Sequence, residues 1–177
     1  MAIAALHTES WRANYRGALS DDFLSGPIVE DRKALWEQRM SDPQPNEWMI
    51  LAEDDSGLVG FACAIGDHDE RLGTYLNNIH VRGTSQGDGV GKALLARVAQ
   101  WSAERYPASG LYLGVLEQNA RAQRFYQRHG ASDAGGETWD PPGGGSAPVR
   151  TYTWSRSDLD ALVLAAAGDT VERRRCA

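Results

Sequence analysis

The run Gln86-Gly87-Asp88-Gly89-Val90-Gly91 places three glycines in five positions, directly ahead of a stretch with helical periodicity. Glycine lets the main chain approach a ligand closely and turn several N–H groups toward one point. The first turn of a helix adds about half a positive charge from its unpaired amides. A diphosphate suits such a seat and would need few side-chain cations there, although Lys92 stands ready to help. The same spacing also serves a plain strand-to-helix turn. Two nucleotide motifs are excluded. A Walker A loop would need glycine where Gln86 stands and a hydroxyl where Ala93 stands. A dinucleotide fingerprint would need its third glycine at Lys92.

Other residues with chemical capacity stand nearby in the sequence. Tyr126 shares a helical face with Ala122 and Phe125, so it reads as a core aromatic whose hydroxyl reaches the edge. A phenol with a pKa of ~10 stays protonated at neutral pH and suits a general acid. Asn119 reads as a helix N-cap, a role that uses its side-chain oxygen and leaves the amide nitrogen for another partner. Two candidates for a proton acceptor are Glu117, at the end of the preceding strand, and His80, which alternates away from Ile79 and Val81; each reads equally as an idle surface residue. Cys63 has no basic neighbour in sequence to lower its pKa and is a poor nucleophile.

The elements that must position these residues follow from period and punctuation. Helical spacing predicts helices over Ala5 to Gly17 and Glu30 to Met40, separated by Gly26-Pro27. Alternation predicts strands over Glu47 to Glu53, Leu58 to Ile65 and Thr74 to Val81, the first two joined by the hairpin turn Asp54-Asp55-Ser56-Gly57 and the last two by a charged turn, Gly66 to Arg71. A helix follows over Gly89 to Arg105, with Val90, Ala93, Leu94, Val98 and Trp101 as its apolar stripe. Then come a strand over Leu111 to Leu116 and a helix from Asn119 to Gly130. Strands over Ala131 to Trp139 and Val149 to Trp154 flank a Gly- and Pro-rich loop. A short helix over Asp158 to Ala167 leads into a polar, mobile tail. This is a mixed α/β fold: residues 1–155 form one domain and residues 156–177 a C-terminal helix and tail.

At 177 residues the chain suits a single core, and its composition is that of a soluble globular protein. No apolar run approaches the ~20 residues a bilayer span needs, and Met1 to Leu6 do not read as a signal peptide, so a cytoplasmic location is expected with no membrane partner. Cys63 and Cys176 give neither a disulfide framework nor a metal-ligand spacing, and both read as free thiols; no metal is expected. A net charge of -6 argues against a nucleic-acid surface and favours, weakly, a cationic partner.

The segment from Val81 to Leu95, with Gln86, Gly89 and Gly91 in the pattern Gln/Arg-x-x-Gly-x-Gly/Ala, resembles the central motif of the GCN5-related N-acetyltransferases. Leu113 to Asn119, with Ala122 and Phe125 to Ala131, is similar to that family's next strand and helix. Together the two motifs cover residues 74 to 131. His7, Ser10-Trp11 and Tyr15-Arg16-Gly17 resemble a bacterial subgroup of the family. The resemblance implies an acyl-CoA N-acyltransferase fold, with a mixed, mostly antiparallel sheet splayed at its central strands, where the strand from Leu76 to Val81 is bulged, and helices on both faces. It implies acetyl-CoA as acetyl donor, held along main-chain groups of Ile79 and Val81 as a false strand, with Gln86 in the motif and the diphosphate on the amides of Gly87, Gly89, Val90, Gly91 and Lys92. It also implies Asn119 at the pantetheine or thiol end, Tyr126 protonating the departing thiolate, and a primary amine of a small molecule or peptide as acceptor.

For the base that such a reaction needs, Glu117 ranks ahead of His80. Acceptor binding is expected from the first two helices, through Trp11, Tyr15 and Trp36, and from the loop from Glu137 to Val149, where Glu137 and Asp140 read either as receiving a cation or as solvated; Trp139 and Trp154 read as sheet packing. Members of the family usually begin with a strand ahead of the first helix; here either the start is truncated or the sheet lacks that strand, which would leave an edge exposed or covered by a partner, as in a homodimer. Two rival readings remain: a non-catalytic acyl-CoA sensor, and a transferase for longer acyl groups.

Overall fold

The computed structural model describes residues 1–175, with side chains described through Ala165. The chain opens with α1 (Ala2–Asn14), a short α2 (Asp21–Ser25) and α3 (Ile28–Ser41). Three strands follow: β1 (Glu47–Asp54), β2 (Gly57–Asp69) and β3 (Gly73–Val81). Then come α4 (Val90–Arg105), β4 (Leu111–Leu116), α5 (Ala120–Arg128), β5 (Ser132–Trp139), β6 (Ala147–Trp154) and α6 (Arg156–Arg175). The predicted helices and strands are all present, with boundaries shifted by a few residues, the common scatter at frayed ends.

Three differences have physical causes. The helix α2 was not anticipated; Ser20 caps it by accepting from the Phe23 amide at 3.2 Å, and Asp21 and Asp22 stand in its first turn. β2 continues to Asp69 rather than turning at Gly66, because Gly66 donates to the Asn46 carbonyl at 2.8 Å and lies against the Tyr106 ring, where any Cβ would collide. α6 runs to Arg175 and is anchored in the main core by Leu159 and Leu162, so it is not an appended element. Cys176 lies outside the described residues.

The six strands form one sheet in the order β1-β2-β3-β4-β6-β5. All neighbours are antiparallel except β3 and β4, which are parallel and pair only at Thr74 with Leu111 and Tyr75 with Tyr112. Side-chain alternation along β2 divides the core. Phe61 and Cys63 face α1 and α3, packing with Ile3, Leu6 and Trp36. Ala62 and Ala64 face α4, packing with Leu94, Leu95 and Val98. Small residues on that face let the helix sit close: a Cβ at Gly60 would come within 3.0 Å of Val90 and 3.1 Å of Leu94. The hydroxyl of Ser102 on α4 donates to Thr74 Oγ1 at 2.8 Å, which ties the helix to the point where β3 and β4 meet.

A buried polar cluster lies under α1. His7 is fully buried; its Nδ1 accepts from Trp36 Nε1 at 3.0 Å, and its ring stands 4.6 Å from that of His80. His80 Nδ1 meets Ser10 Oγ at 2.8 Å. Burial, chiefly, holds both imidazoles neutral, with Arg32 opposing a further positive charge at each; His80 is pushed down to about 3 and His7 also far below the ordinary histidine range. Among the described residues, no helix is long and apolar enough to cross a membrane, and no group of His, Cys, Asp and Glu is placed to hold a metal ion.

These depressed values fix a pH dependence. Unfolded histidines take up protons below about pH 6.5 while the folded pair does not, so acid favours the unfolded chain. Stability is expected to be full above pH 7 and to fall toward pH 5, with a slope approaching about 2.7 kcal/mol per pH unit if both rings contribute. Urea midpoints across this range check it: His80→Leu should about halve the slope, and a flat profile between pH 7 and 5 would refute the neutral pair.

Candidate active site

The early divergence of β3 and β4 opens a cleft of about 480 Å³. Its walls include Leu76 to Val81 on β3 and Leu113 to Leu116 on β4, and α4 and α5 supply its two ends. β3 bonds to β2 on one side and β4 to β6 on the other, so below the two parallel pairs the facing main-chain edges are left for a third extended chain. At one end the cleft reaches Gln86, Gly87, Gly89, Gly91 and Lys92. Gly87 and Gly89 have φ of 103° and 86°, a conformation that suits glycine and turns successive amides inward. α4 is preceded by Gly89, which has no side chain to cap it, and the amides of Val90 and Gly91 at its start have no acceptor within the helix. Space beside Gly87 is open, with nothing within 4 Å of where a Cβ would stand.

At the other end stand Asn119 and Tyr126. Asn119 caps α5, its Oδ1 accepting from the Ala122 amide at 3.1 Å, which leaves Nδ2 toward the cleft it lines. Tyr126 is 8% exposed, and burial raises its pKa well above the ordinary phenol range. Its ring is edge-on to Trp154, and among the described residues its hydroxyl has no hydrogen-bond partner. The hydroxyl of Tyr152, by contrast, is engaged by Gln127 Nε2 at 3.1 Å. A protonated phenol aimed into a cleft is a proton or hydrogen-bond donor for whatever lies there.

A second cavity of about 400 Å³ opens beside the first and shares Tyr15, Asn77, Asn78, Gly114 and Leu116 with it. Trp11, Tyr15 and Trp139 form an aromatic wall: Trp11 and Tyr15 stack at 4.8 Å, and Trp139 meets Trp11 edge-on at 5.9 Å. Burial pushes Tyr15 up to about 12. Arg32 and Arg39 from α3 enter the cavity, Arg32 with its guanidinium 4.2 Å from the Trp11 ring.

The two cavities gather most of the residues expected from the sequence. Ile79, Val81, Gln86, Gly87, Gly89, Gly91, Lys92, Asn119 and Tyr126 line the first, and Trp11, Tyr15 and Glu137 the second. Val90 contributes no lining side chain, since it packs toward Gly60 on β2. Glu117 lies outside both cavities; its carboxylate is half exposed, 3.9 Å from Arg150. Asp140 is exposed and also lies outside them. Trp36 is 1% exposed and belongs to the core under α3, where its indole N–H serves His7. Trp139, expected only as sheet packing, forms part of the cavity wall. His80 lines the first cavity, yet its neutral, desolvated ring is a weak proton acceptor. Arg32, Arg39, Tyr75, Asn77 and Asn78 were not foreseen.

Comparison with known proteins agrees with this geometry. The model of the acetyltransferase (GNAT) family matches residues 5–131. An uncharacterized N-acetyltransferase of Bacillus subtilis, YuaI, is 29% identical over 130 residues, covering 72% of this chain and 71% of that one. A spermine/spermidine N(1)-acetyltransferase of the same organism is 36% identical over 81 residues, covering 43% of this chain and 53% of the relative. In fold, the PaiA N-acetyltransferase of Thermoplasma acidophilum, solved in complex with coenzyme A, superposes with a TM-score of 0.60 at 19% identity, over 86% of this chain and 91% of that one. The matched residues take in the glycine turn and both strands of the splay, and the chain belongs to the acetyltransferase (GNAT) family as an N-acyltransferase.

Proposed function

We propose that the chain transfers an acetyl group from acetyl-CoA to a primary amine by direct attack within a ternary complex. The observation that carries this reading is one continuous surface: an open main-chain edge between β3 and β4 that runs into the uncapped start of α4. Amides of an extended pantetheine arm match the edge at Ile79 and Val81, and a diphosphate matches the amides of Gly87 to Lys92. The coenzyme supplies an activated thioester; everything else falls to the chain.

The amine enters through the second cavity and meets the acyl group where the cavities join, at Tyr15, Asn77, Asn78, Gly114 and Leu116. Holding both groups there turns a bimolecular reaction into a local one. Tyr126 donates to the sulfur as the C–S bond breaks, and Asn119 Nδ2 orients the arm beside it. Burial raises the pKa of the phenol, but it acts equally on a thiolate in the same cleft, so the proton moves between two groups with a shared penalty. With Glu117 outside the cavities and His80 held neutral, the amine's surplus proton leaves through water rather than through either residue. Spermine and spermidine, named for one relative, show that amines are within the reach of proteins similar to this chain.

Release of free thiol from acetyl-CoA in the presence of a panel of primary amines tests the reading, and no release with any amine would refute it. Tyr126→Phe is expected to lower kcat by about a hundredfold while coenzyme binding stays within twofold. Unchanged turnover would remove Tyr126 from the chemistry. Gly87→Val places a branched side chain at a φ of 103° and fills the open seat, so the Kd for coenzyme A should rise by about tenfold or more, as read by calorimetry.

A further inference from the structure

The wall shared by the two cavities is built on an irregular stretch of β3. Register between β2 and β3 passes from Cys63 opposite Asn78 to Ala64 opposite Leu76, so Asn77 is the extra residue of a β-bulge. The bulge puts Asn77 and Asn78, consecutive in sequence, on the same face of the sheet. Arg39 reaches both: Nη1 donates to Asn78 Oδ1 and Nη2 to Asn77 Oδ1, each at 3.0 Å. A guanidinium has no acceptor, so both amide oxygens must face it and both Nδ2 groups must face elsewhere. Among the described residues neither Nδ2 has a partner, and both side chains line both cavities. Glu47 fixes Arg39 from behind, 3.3 Å from its Nε.

The rest of the second cavity has the same character. Arg32 is 7% exposed, with Nε and Nη2 on Asp31, which leaves Nη1 for the cavity it lines. Burial raises the pKa of Tyr75 and keeps it as an O–H donor. The lining carboxylate is Glu137, exposed at the rim and accepting from Thr151 Oγ1 at 3.2 Å. Asp31 and Glu47 neutralise the two arginines from outside the cavity, so the cavity selects by directed donors rather than by net positive charge.

We propose that the acceptor is an α-amino acid, with its amine at the junction, its carboxylate on the Asn77 and Asn78 amides and Arg32, and its side chain against Trp11, Tyr15 and Trp139. This inference rests on the acyl-transfer reading. A carboxylate only accepts hydrogen bonds and has about four lone-pair sites, which matches fixed donors on one wall. A polyamine would bring further donors and a simple alkylamine no acceptor, so either would leave those amides unpaired, and a site built to hydrogen-bond a group discriminates strongly against ligands that lack it. A cavity of about 400 Å³ has room for a single amino acid beside the thioester.

Matched pairs test it: phenylalanine against phenethylamine, valine against isobutylamine, with spermidine as third probe. In the thiol-release assay the amino acid of at least one pair is expected to exceed its decarboxylated partner, and spermidine, in kcat/KM by about tenfold or more. Asn77→Asp with Asn78→Asp keeps the shape and the bonds to Arg39 but exchanges each donor for an oxygen; the preference should collapse, mainly through KM. The proposal is overturned if the decarboxylated amines or spermidine react as well as the amino acids, or if the preference survives in the double variant. Should the double variant not fold, Asn77→Asp alone is read in the same way. If no amine releases thiol, acyl transfer fails as the reading, and recognition is scored by Tm with coenzyme A present. A larger rise with phenylalanine or valine than with its partner supports the donor wall, and equal shifts sink it.

Discussion

The parallel contact between β3 and β4 lasts for two residue pairs, Thr74 with Leu111 and Tyr75 with Tyr112, and the rest of the molecule is arranged around that short seam. It holds because its surroundings are packed to the main chain. A Cβ at Gly73 would come within 2.5 Å of the Gly110 carbonyl, and one at Gly110 within 2.6 Å of the Trp154 carbonyl, so side chains are excluded where the halves of the sheet join. The Ser102 to Thr74 bond adds a buried polar tie from α4. Past this point no backbone pairing joins the two strands among the described residues. The opening that results is where main-chain groups are left to a ligand, which sheets elsewhere avoid. A longer seam would close the cleft, and a shorter one would free α4 from the strand whose end carries the glycine turn.

Burial around the opening sets the electrostatics. Removal from water disfavours the charged form of each group there: His7 and His80 stay neutral, and Tyr15 and Tyr126 stay protonated. Charges that persist are held by a partner set back from the cavities, Asp31 for Arg32 and Glu47 for Arg39. The floor of the site is therefore rich in hydrogen-bond donors and poor in net charge. Such a floor accommodates a neutral amine better than an ammonium, which fits a reaction whose nucleophile must be deprotonated.

Much of this was legible in the sequence because it depends on local patterns. The glycine turn, the strand before it and the apolar stripe of α4 are contiguous, and the Asn119 cap and Tyr126 lie on a single helix whose face follows from spacing. The fold class followed from the order of elements together with a family resemblance. The acceptor side was harder, because it combines residues from α1, α3, β3 and β5 that only the tertiary structure brings together. The resemblance implied a bulge in the strand from Leu76 to Val81 but not its position. Strict alternation would put Leu76, Asn78 and His80 on one face, yet the apolar residues Leu76, Ile79 and Val81 keep to the α4 side, an offset of one residue that marks the bulge at Asn77. Glu117 misled for a similar reason: the end of a strand beside a capped helix looks like a cleft in one dimension, but its side chain faces Arg150.

Net charge was the least informative guide. A value of -6 suggested a cationic partner, but it is a sum over the surface, whereas a ligand in the second cavity meets two guanidiniums, two primary amides, two half-buried phenols and one rim carboxylate. Surface carboxylates such as Asp54 and Asp133 are engaged locally, by Ser56 and by Arg150, and fall outside both cavities. Long-range attraction follows the sum, while selection follows the direction of individual donors over about 3 Å. The two can differ in sign within one molecule: an acidic exterior can draw an amine in, and a donor-lined interior can then retain one that also carries an anionic oxygen.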